Sequence, residues 1–184
     1  MRATVLTAAA CVLLASGASA ARELDGVTLP DTVSVEGREM KLIGMGVRTK
    51  WMVRVYVAGL YAQKPTFNAD KLITSDQPKS ITLHLVRDVG REKIIEAIQD
   101  GFAKNSGAEL PALQARLDQL AAAIPDLKSG QELILSYLPG KGTVVGGVAT
   151  PTVLEGQDFA QALFAVWLGK DPADSDLKRK LLGG

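Results

Sequence analysis

Apolar and polar residues alternate with the two-residue period of a β-strand in several separate segments of the chain. The clearest segment is 80–86, where Ile81, Leu83 and Leu85 lie on one face and Thr82 and His84 on the other. The same period, or a high content of Val and Tyr, predicts further strands. These cover 40–47, 51–62, 132–137 and 143–148, with a short β-ribbon over 26–37.

Other segments repeat apolar residues every three to four positions, as an amphipathic helix does. The spacing predicts helices over 90–104, from Pro111 onward, and over 156–168, with shorter helices ending at Ile73 and covering 174–182. Strands therefore occur in runs, and so do helices. That order is typical of an α+β fold, in which helices are layered on one face of an antiparallel sheet.

The first twenty residues have the composition of a secretory signal peptide. Arg2 supplies a positive charge, 5–15 is apolar, and Ala18-Ser19-Ala20 fits a small-x-small cleavage site. The apolar run is shorter than the roughly 20 residues needed to span a bilayer. We therefore expect cleavage near Ala20 and an exported, periplasmic domain over 21–184 without a transmembrane segment.

Charge and cysteine content exclude several classes of function. The net charge is +1 and no basic run is interleaved with aromatic residues, so we expect no nucleic-acid partner. The only cysteine, Cys11, lies in the predicted signal peptide, and His84 is the only histidine. Ligands for zinc are therefore too few, and the spacing of Asp171, Asp174 and Asp176 is not that of a calcium loop. We predict neither a metal nor a cofactor.

One segment contains the strongest candidate for a binding site. A Gly-x-Gly-x-Arg element, 44–48, precedes an apolar strand that carries Arg54 and Tyr56. A guanidinium is costly to bury unpaired, so Arg48 beneath the helices needs an anionic guest, a buried acid or ordered water. A cation and a phenol at an apolar cavity suit a carboxylate or an enolate, although a surface arginine beside a packed tyrosine is the alternative. Strand alternation puts Arg54 on the face of Tyr56 and makes it a competing candidate.

The chain resembles the chalcone isomerase-like family over nearly all of the predicted mature domain. Separately the shared motifs are weak, but their order and spacing are fairly specific. They are Gly44-x-Gly46-x-Arg48, the strand 55–61, Arg87-Asp88 leading into Glu92-Lys93, Trp167-Leu168-Gly169 and Asp176-Leu177-Lys178.

The resemblance implies an open-faced β-sandwich, with a large antiparallel sheet, helices over one face and a ligand cleft between them. It also implies roles for two residues. Arg48 matches the arginine that steadies the attacking phenolate in the plant enzymes, and Tyr56 falls at the tyrosine that holds the carboxylate in the fatty-acid binders. The enzymes carry a tyrosine, an asparagine and a threonine at positions that fall here at Gly90, Ala97 and Val166.

These departures favour binding over catalysis. We expect a domain that holds a fatty acid or similar apolar carboxylate through Arg48 and Tyr56, with Arg54 as the further candidate. An intramolecular lyase that uses Arg48 alone is the enzymatic alternative, since cyclisation needs little beyond orientation and enolate stabilisation. An envelope protein-interaction module, with an unknown protein partner, is a third possibility.

Overall fold

Residues 20–184, which the computed structural model describes, form nine strands and five helices. The strands are β1 (Ala21–Leu24), β2 (Val27–Pro30), β3 (Thr32–Val35), β4 (Arg38–Lys50), β5 (Val53–Ala62), β6 (Lys79–Leu85), β7 (Glu132–Leu138), β8 (Gly142–Gly146) and β9 (Thr152–Leu154). The helices are α1 (Ala69–Thr74), α2 (Arg91–Ser106), α3 (Leu110–Ala123), α4 (Gln157–Leu168) and α5 (Ser175–Leu181).

Strands β3 to β9 form one antiparallel sheet in which each strand pairs with its neighbour in the sequence. The predicted α+β architecture, a large antiparallel sheet with helices layered on one face, is confirmed. Strands β1 and β2 form a separate ribbon. Val27 and Leu29 of this ribbon pack with Val57, whose neighbour Ala58 belongs to the helix-covered core. The ribbon therefore lies on the face of β5 opposite the helices.

Helix α4 is the centre of the helical layer. Every residue from Phe159 to Leu168 except Gln161 is buried, as expected for a helix that is covered on all sides. Helix α2 packs closely on α4 at Gly101, where an added Cβ would lie 2.7 Å from Val166. The strand residues Ile81, Leu83 and Leu85 belong to the same core, as their alternation predicts.

Three local predictions differ from the structure. Trp51 and Met52 form the tight turn between β4 and β5 and are not part of the second strand. Strand β4 is longer than predicted, with 13 residues. The sequence analysis missed strands β1 and β9, which have four and three residues. The predicted signal peptide lies outside the described residues apart from Ala20. Among residues 20–184, no helix is long and apolar enough to cross a membrane.

Candidate functional site

A cavity of about 470 Å³ lies between the sheet and helices α2 and α4. Buried apolar side chains of β6, β7, α2 and α4 and of the segment between α3 and β7 form its interior, and several exposed residues form its rim. This volume is within the usual range for small-molecule sites. Arg48 and Tyr56 line the same cavity. The interior residues are Leu83, Leu85, Ile98, Leu127, Leu133, Val166 and Trp167.

The two glycines before Arg48 allow helix α5 to lie directly on strand β4. A Cβ added to Gly44 would come within 2.2 Å of the Lys180 carbonyl oxygen, and one added to Gly46 would lie 2.7 Å from Leu177. Side chains at either position would therefore push the helix away from the strand. The close approach brings the N-terminus of α5 to Arg48, which lines the cavity.

Arg48 is paired with a carboxylate from that helix terminus. Its Nη1 donates to Asp174 Oδ2 at 2.9 Å and to the carbonyl of Thr49 at 3.1 Å. The two charged side chains are only 21% and 16% exposed. Within the described part of the chain, Nε and Nη2 of Arg48 have no hydrogen-bond partner. The guanidinium thus has a buried acid as its partner and retains donors for a guest.

Asp174 also caps helix α5. Its Oδ1 accepts from the backbone N–H groups of Asp176 and Leu177, at 2.9 and 3.0 Å, which is the usual role of an N-cap aspartate. Burial acts to raise the pKa of this carboxyl. The hydrogen bond from Leu177, the Arg48 guanidinium and the bond from Asp176 outweigh burial, so the pKa lies below its ordinary value. Asp174 is therefore ionised at neutral pH.

Tyr56 lies opposite Arg48 in the β4–β5 register and lines the same cavity. Its hydroxyl oxygen accepts a 2.9 Å hydrogen bond from Nε1 of Trp167. Burial raises the pKa of Tyr56 to about 12, against the opposing effects of the Trp167 bond and the Arg48 charge. The phenol therefore keeps its proton at physiological pH. With its lone pair engaged by the indole, the O–H group remains able to donate to an acceptor in the cavity.

Arg54 does not share the face of Tyr56, and that prediction is wrong. The pairing shifts from Arg48↔Tyr56 to Thr49↔Arg54, which leaves Val55 as an extra residue in a β-bulge. The bulge inverts the alternation and turns Arg54 toward the β1–β2 ribbon, where it forms an ion pair with Asp25. Arg54 is 62% exposed and is not among the residues that line the cavity.

The remaining candidates from the sequence lie outside the cavity. His84 contacts Glu132, with 3.1 Å between Nδ1 and Oε1, as a satisfied strand histidine does. Asp176 pairs with Arg179 on α5. Residues 20–184 contain no group of three or more His, Cys, Asp or Glu side chains arranged to hold a metal ion.

The sequence predicted no role at this site for two residues that belong to it, Trp167 and Asp174. Trp167 fits the apolar stripe of its helix, and nothing in that pattern singles out its N–H group. Asp174 directly precedes helix α5, so its role as an N-cap could have been predicted from the sequence. Its ion pair with Arg48 could not, because the two residues are 126 positions apart in the chain.

The chain matches the profile of the chalcone isomerase-like family over residues 21–183. Among solved structures it is similar to a fatty-acid binding protein of Arabidopsis thaliana. The two have 16% sequence identity and a TM-score of 0.68, and the match covers 89% of this chain and 96% of the plant protein. At this identity the likeness concerns the fold. No curated protein sequence matches this chain.

Proposed function

This chain belongs to the chalcone isomerase-like family, and we propose that it is a binding protein for a fatty acid or a similar apolar carboxylate. The observation that carries the proposal is the pairing of an apolar cavity with two polar groups, Tyr56 and Arg48. The alkyl chain would lie among the apolar side chains, and the carboxylate would accept from the Tyr56 hydroxyl and from the free N–H groups of Arg48. The structural likeness to a plant fatty-acid binding protein supports the same class of ligand.

The cavity favours binding over cyclisation. The three positions at which the plant enzymes carry tyrosine, asparagine and threonine are Gly90, Ala97 and Val166 in this chain, and all three line the cavity. Without those polar groups, the cavity has few residues that could orient and deprotonate a substrate. An isomerase would depend on Arg48 alone, and that arginine is already neutralised by Asp174.

Titration with a fatty acid brominated at mid-chain tests the proposal directly. The chain has two tryptophans, and Trp51→Ala leaves Trp167 inside the cavity as the single reporter. Bromine quenches indole fluorescence only at short range, so we expect saturable quenching of Trp167. The alcohol of the same chain length is the matched ligand and should bind more weakly.

Tyr56→Phe removes the hydroxyl and leaves the ring. Loss of a hydrogen bond to a charged group costs about 1.5–3 kcal/mol, so affinity should fall about tenfold or more. Absence of quenching, together with no lipid in native mass spectra of the freshly purified protein, would refute fatty-acid binding. Conversion of a hydroxychalcone faster than in buffer would favour the isomerase.

We further propose that residues 1–20 direct export and that the domain is periplasmic. The support is the sequence pattern of a charged start, an apolar run and a small-residue cleavage site. The intact mass of the protein recovered from the periplasmic fraction of a Gram-negative bacterium that expresses the full sequence tests this. We expect a chain that begins near Ala21, and a full-length cytoplasmic chain would contradict export.

A further inference from the structure

The turn between β4 and β5 exposes two large apolar side chains at the edge of the cavity. Trp51 is 88% exposed and Met52 is 97% exposed. Trp51 also lines the cavity, together with its neighbours Lys50 and Val53. The tip of this hairpin, Trp51 and Met52, is therefore continuous with the mouth of the candidate binding site.

This tip does not serve the stability of the fold. Both residues have positive φ angles, 52° for Trp51 and 65° for Met52. Two-residue hairpin turns with such angles favour Asn-Gly, because a Cβ is disfavoured in the left-handed region. Bulky side chains here strain the backbone and then extend into water, where they bury almost nothing. A residue pair that the fold disfavours twice indicates a role outside folding.

The rim of the cavity, which includes Trp51, is cationic. Lys50, Arg87 and Lys93 are exposed residues of the cavity lining, and Asp88 is the one acidic residue in that lining. Asp88 pairs with Lys128 at 2.9 Å and Lys93 pairs with Glu96 at 3.2 Å, whereas Lys50 and Arg87 form no ion pair with the described residues. An exposed tryptophan on the same rim as lysine and arginine is the arrangement that membrane-water interfaces select.

We propose that the β4–β5 tip docks into the interface of a phospholipid bilayer that carries anionic headgroups. Trp51 and Met52 would enter the boundary between headgroups and acyl chains, with the cationic rim lying against the lipid phosphates. The tip suits a bilayer better than a protein partner, because two side chains provide much less than the roughly 800 Å² per partner of a stable protein interface.

The docking proposal depends on the apolar tip and on the cationic rim. Exchange of a fatty acid between the cavity and the bilayer depends, in addition, on the proposed function. In the docked orientation the mouth of the cavity would open onto the lipid surface, so a guest could transfer without crossing bulk water.

Vesicle binding by the predicted mature protein, which begins at Ala21, tests docking. Phosphatidylcholine vesicles with about one third phosphatidylglycerol provide the anionic surface. We expect co-sedimentation, a blue shift of Trp51 fluorescence, and binding that weakens with added salt or with phosphatidylcholine alone. Trp51→Asn/Met52→Gly supplies the residues that the turn prefers. It should fold with an unchanged or higher Tm, and its vesicle affinity should fall by about tenfold or more.

Phe67→Ala is the matched control. Phe67 is another exposed aromatic residue, 70% accessible, and it lies beyond the opposite end of β5. Its loss should leave vesicle binding unchanged. Docking is overturned if the wild-type protein does not bind anionic vesicles or if Trp51→Asn/Met52→Gly binds them equally well. Self-association that depends on the tip, without vesicle binding, would assign the tip to protein contact and also overturn docking.

A second variant, Met52→Asp, separates this inference from the proposed function, because Met52 belongs to the tip but does not line the cavity. A carboxylate at the tip should prevent docking on anionic vesicles, and quenching by the brominated fatty acid then measures ligand binding in a protein that cannot dock. Normal quenching with lost vesicle binding supports both proposals. Vesicle binding by the wild-type protein without any quenching would retain docking and refute fatty-acid binding.

Discussion

The ion pair between Arg48 and Asp174 should couple strand β4 to helix α5, and a double-mutant cycle measures that coupling. Arg48→Met removes the charge and keeps an apolar side chain of similar length. Asp174→Asn removes the charge and keeps an N-cap acceptor, since asparagine caps helices about as well as aspartate. The cycle therefore isolates the charge–charge interaction from capping and packing.

The expected magnitude follows from burial. Exposed ion pairs contribute about 0.2–1 kcal/mol, whereas hydrogen bonds to charged groups contribute about 1.5–3 kcal/mol. The Arg48 and Asp174 side chains are 21% and 16% exposed, and their atoms are 2.9 Å apart. Solvent screens this pair only in part, so we expect a coupling energy of about 1–2 kcal/mol. Each single variant should lose at least that much stability.

Urea unfolding of the wild type, the two single variants and the double variant provides the four free energies. The matched control is the pair Arg179 and Asp176 on the same helix, whose side chains are 61% and 84% exposed. Its cycle, with Arg179→Met and Asp176→Asn, should give less than about 0.5 kcal/mol. A coupling energy for Arg48 and Asp174 no larger than the control value would refute the reasoning.

Three further predictions concern stability. Gly44→Ala should lower the free energy of unfolding by about 1–3 kcal/mol, because the added Cβ would overlap a backbone carbonyl of α5. Gly146→Ala is the control: its added Cβ would have its nearest neighbour at 3.6 Å, so the free energy of unfolding should change by less than about 1 kcal/mol. The pKa of Asp174 is lower in the folded chain than in the unfolded chain. Its ionised form therefore stabilises the fold fully above the unfolded pKa, and this stabilisation is lost as the pH falls through the folded pKa. Below about pH 4 the free energy of unfolding should therefore fall less steeply with decreasing pH in Asp174→Asn than in the wild type. The buried amino group of Lys79 donates to three backbone carbonyls at the end of α1. Lys79→Met should therefore destabilise the fold by about 2 kcal/mol or more in thermal unfolding. Lys71→Met, on the exposed side of the same helix, should be nearly neutral in the same assay.

The alternation of apolar residues was sufficient to predict the sheet. In β6 each side chain lies on the face that its parity indicates, because the strand is regular and one of its faces is covered by helices. The same reasoning failed for Arg54. The bulge at Val55 is not marked by a glycine or proline, so the sequence contains no signal for the change of face. Parity arguments therefore hold only up to the first irregular residue.

Local signals also misplaced the end of the hairpin. Turn residues are normally small or polar, and Trp51-Met52 reads as the start of an apolar strand. The structure makes these residues the turn itself. The partner of Arg48 could not be predicted for another reason. The residue types indicated that a buried guanidinium needs an acid or a guest. Only the packing of α5 on Gly44 and Gly46 identifies Asp174 as that acid.

The pairing of Arg48 with Asp174 has a consequence for the affinity of a carboxylate guest. The guest would compete with Asp174 for the same guanidinium and would also be repelled by that charge. Asp174→Asn removes the competitor and the repulsion, so it should bind a fatty acid more tightly than the wild type, by about three- to tenfold for a gain near 1 kcal/mol. Its affinity for the alcohol of equal length should not change, because an uncharged head group feels neither effect. Quenching of Trp167 by the two brominated ligands, in the Trp51→Ala background, gives both affinities. Equal changes in affinity for the acid and the alcohol would mean that the carboxylate does not reach Arg48. Of the two proposed head-group contacts, only Tyr56 would then remain.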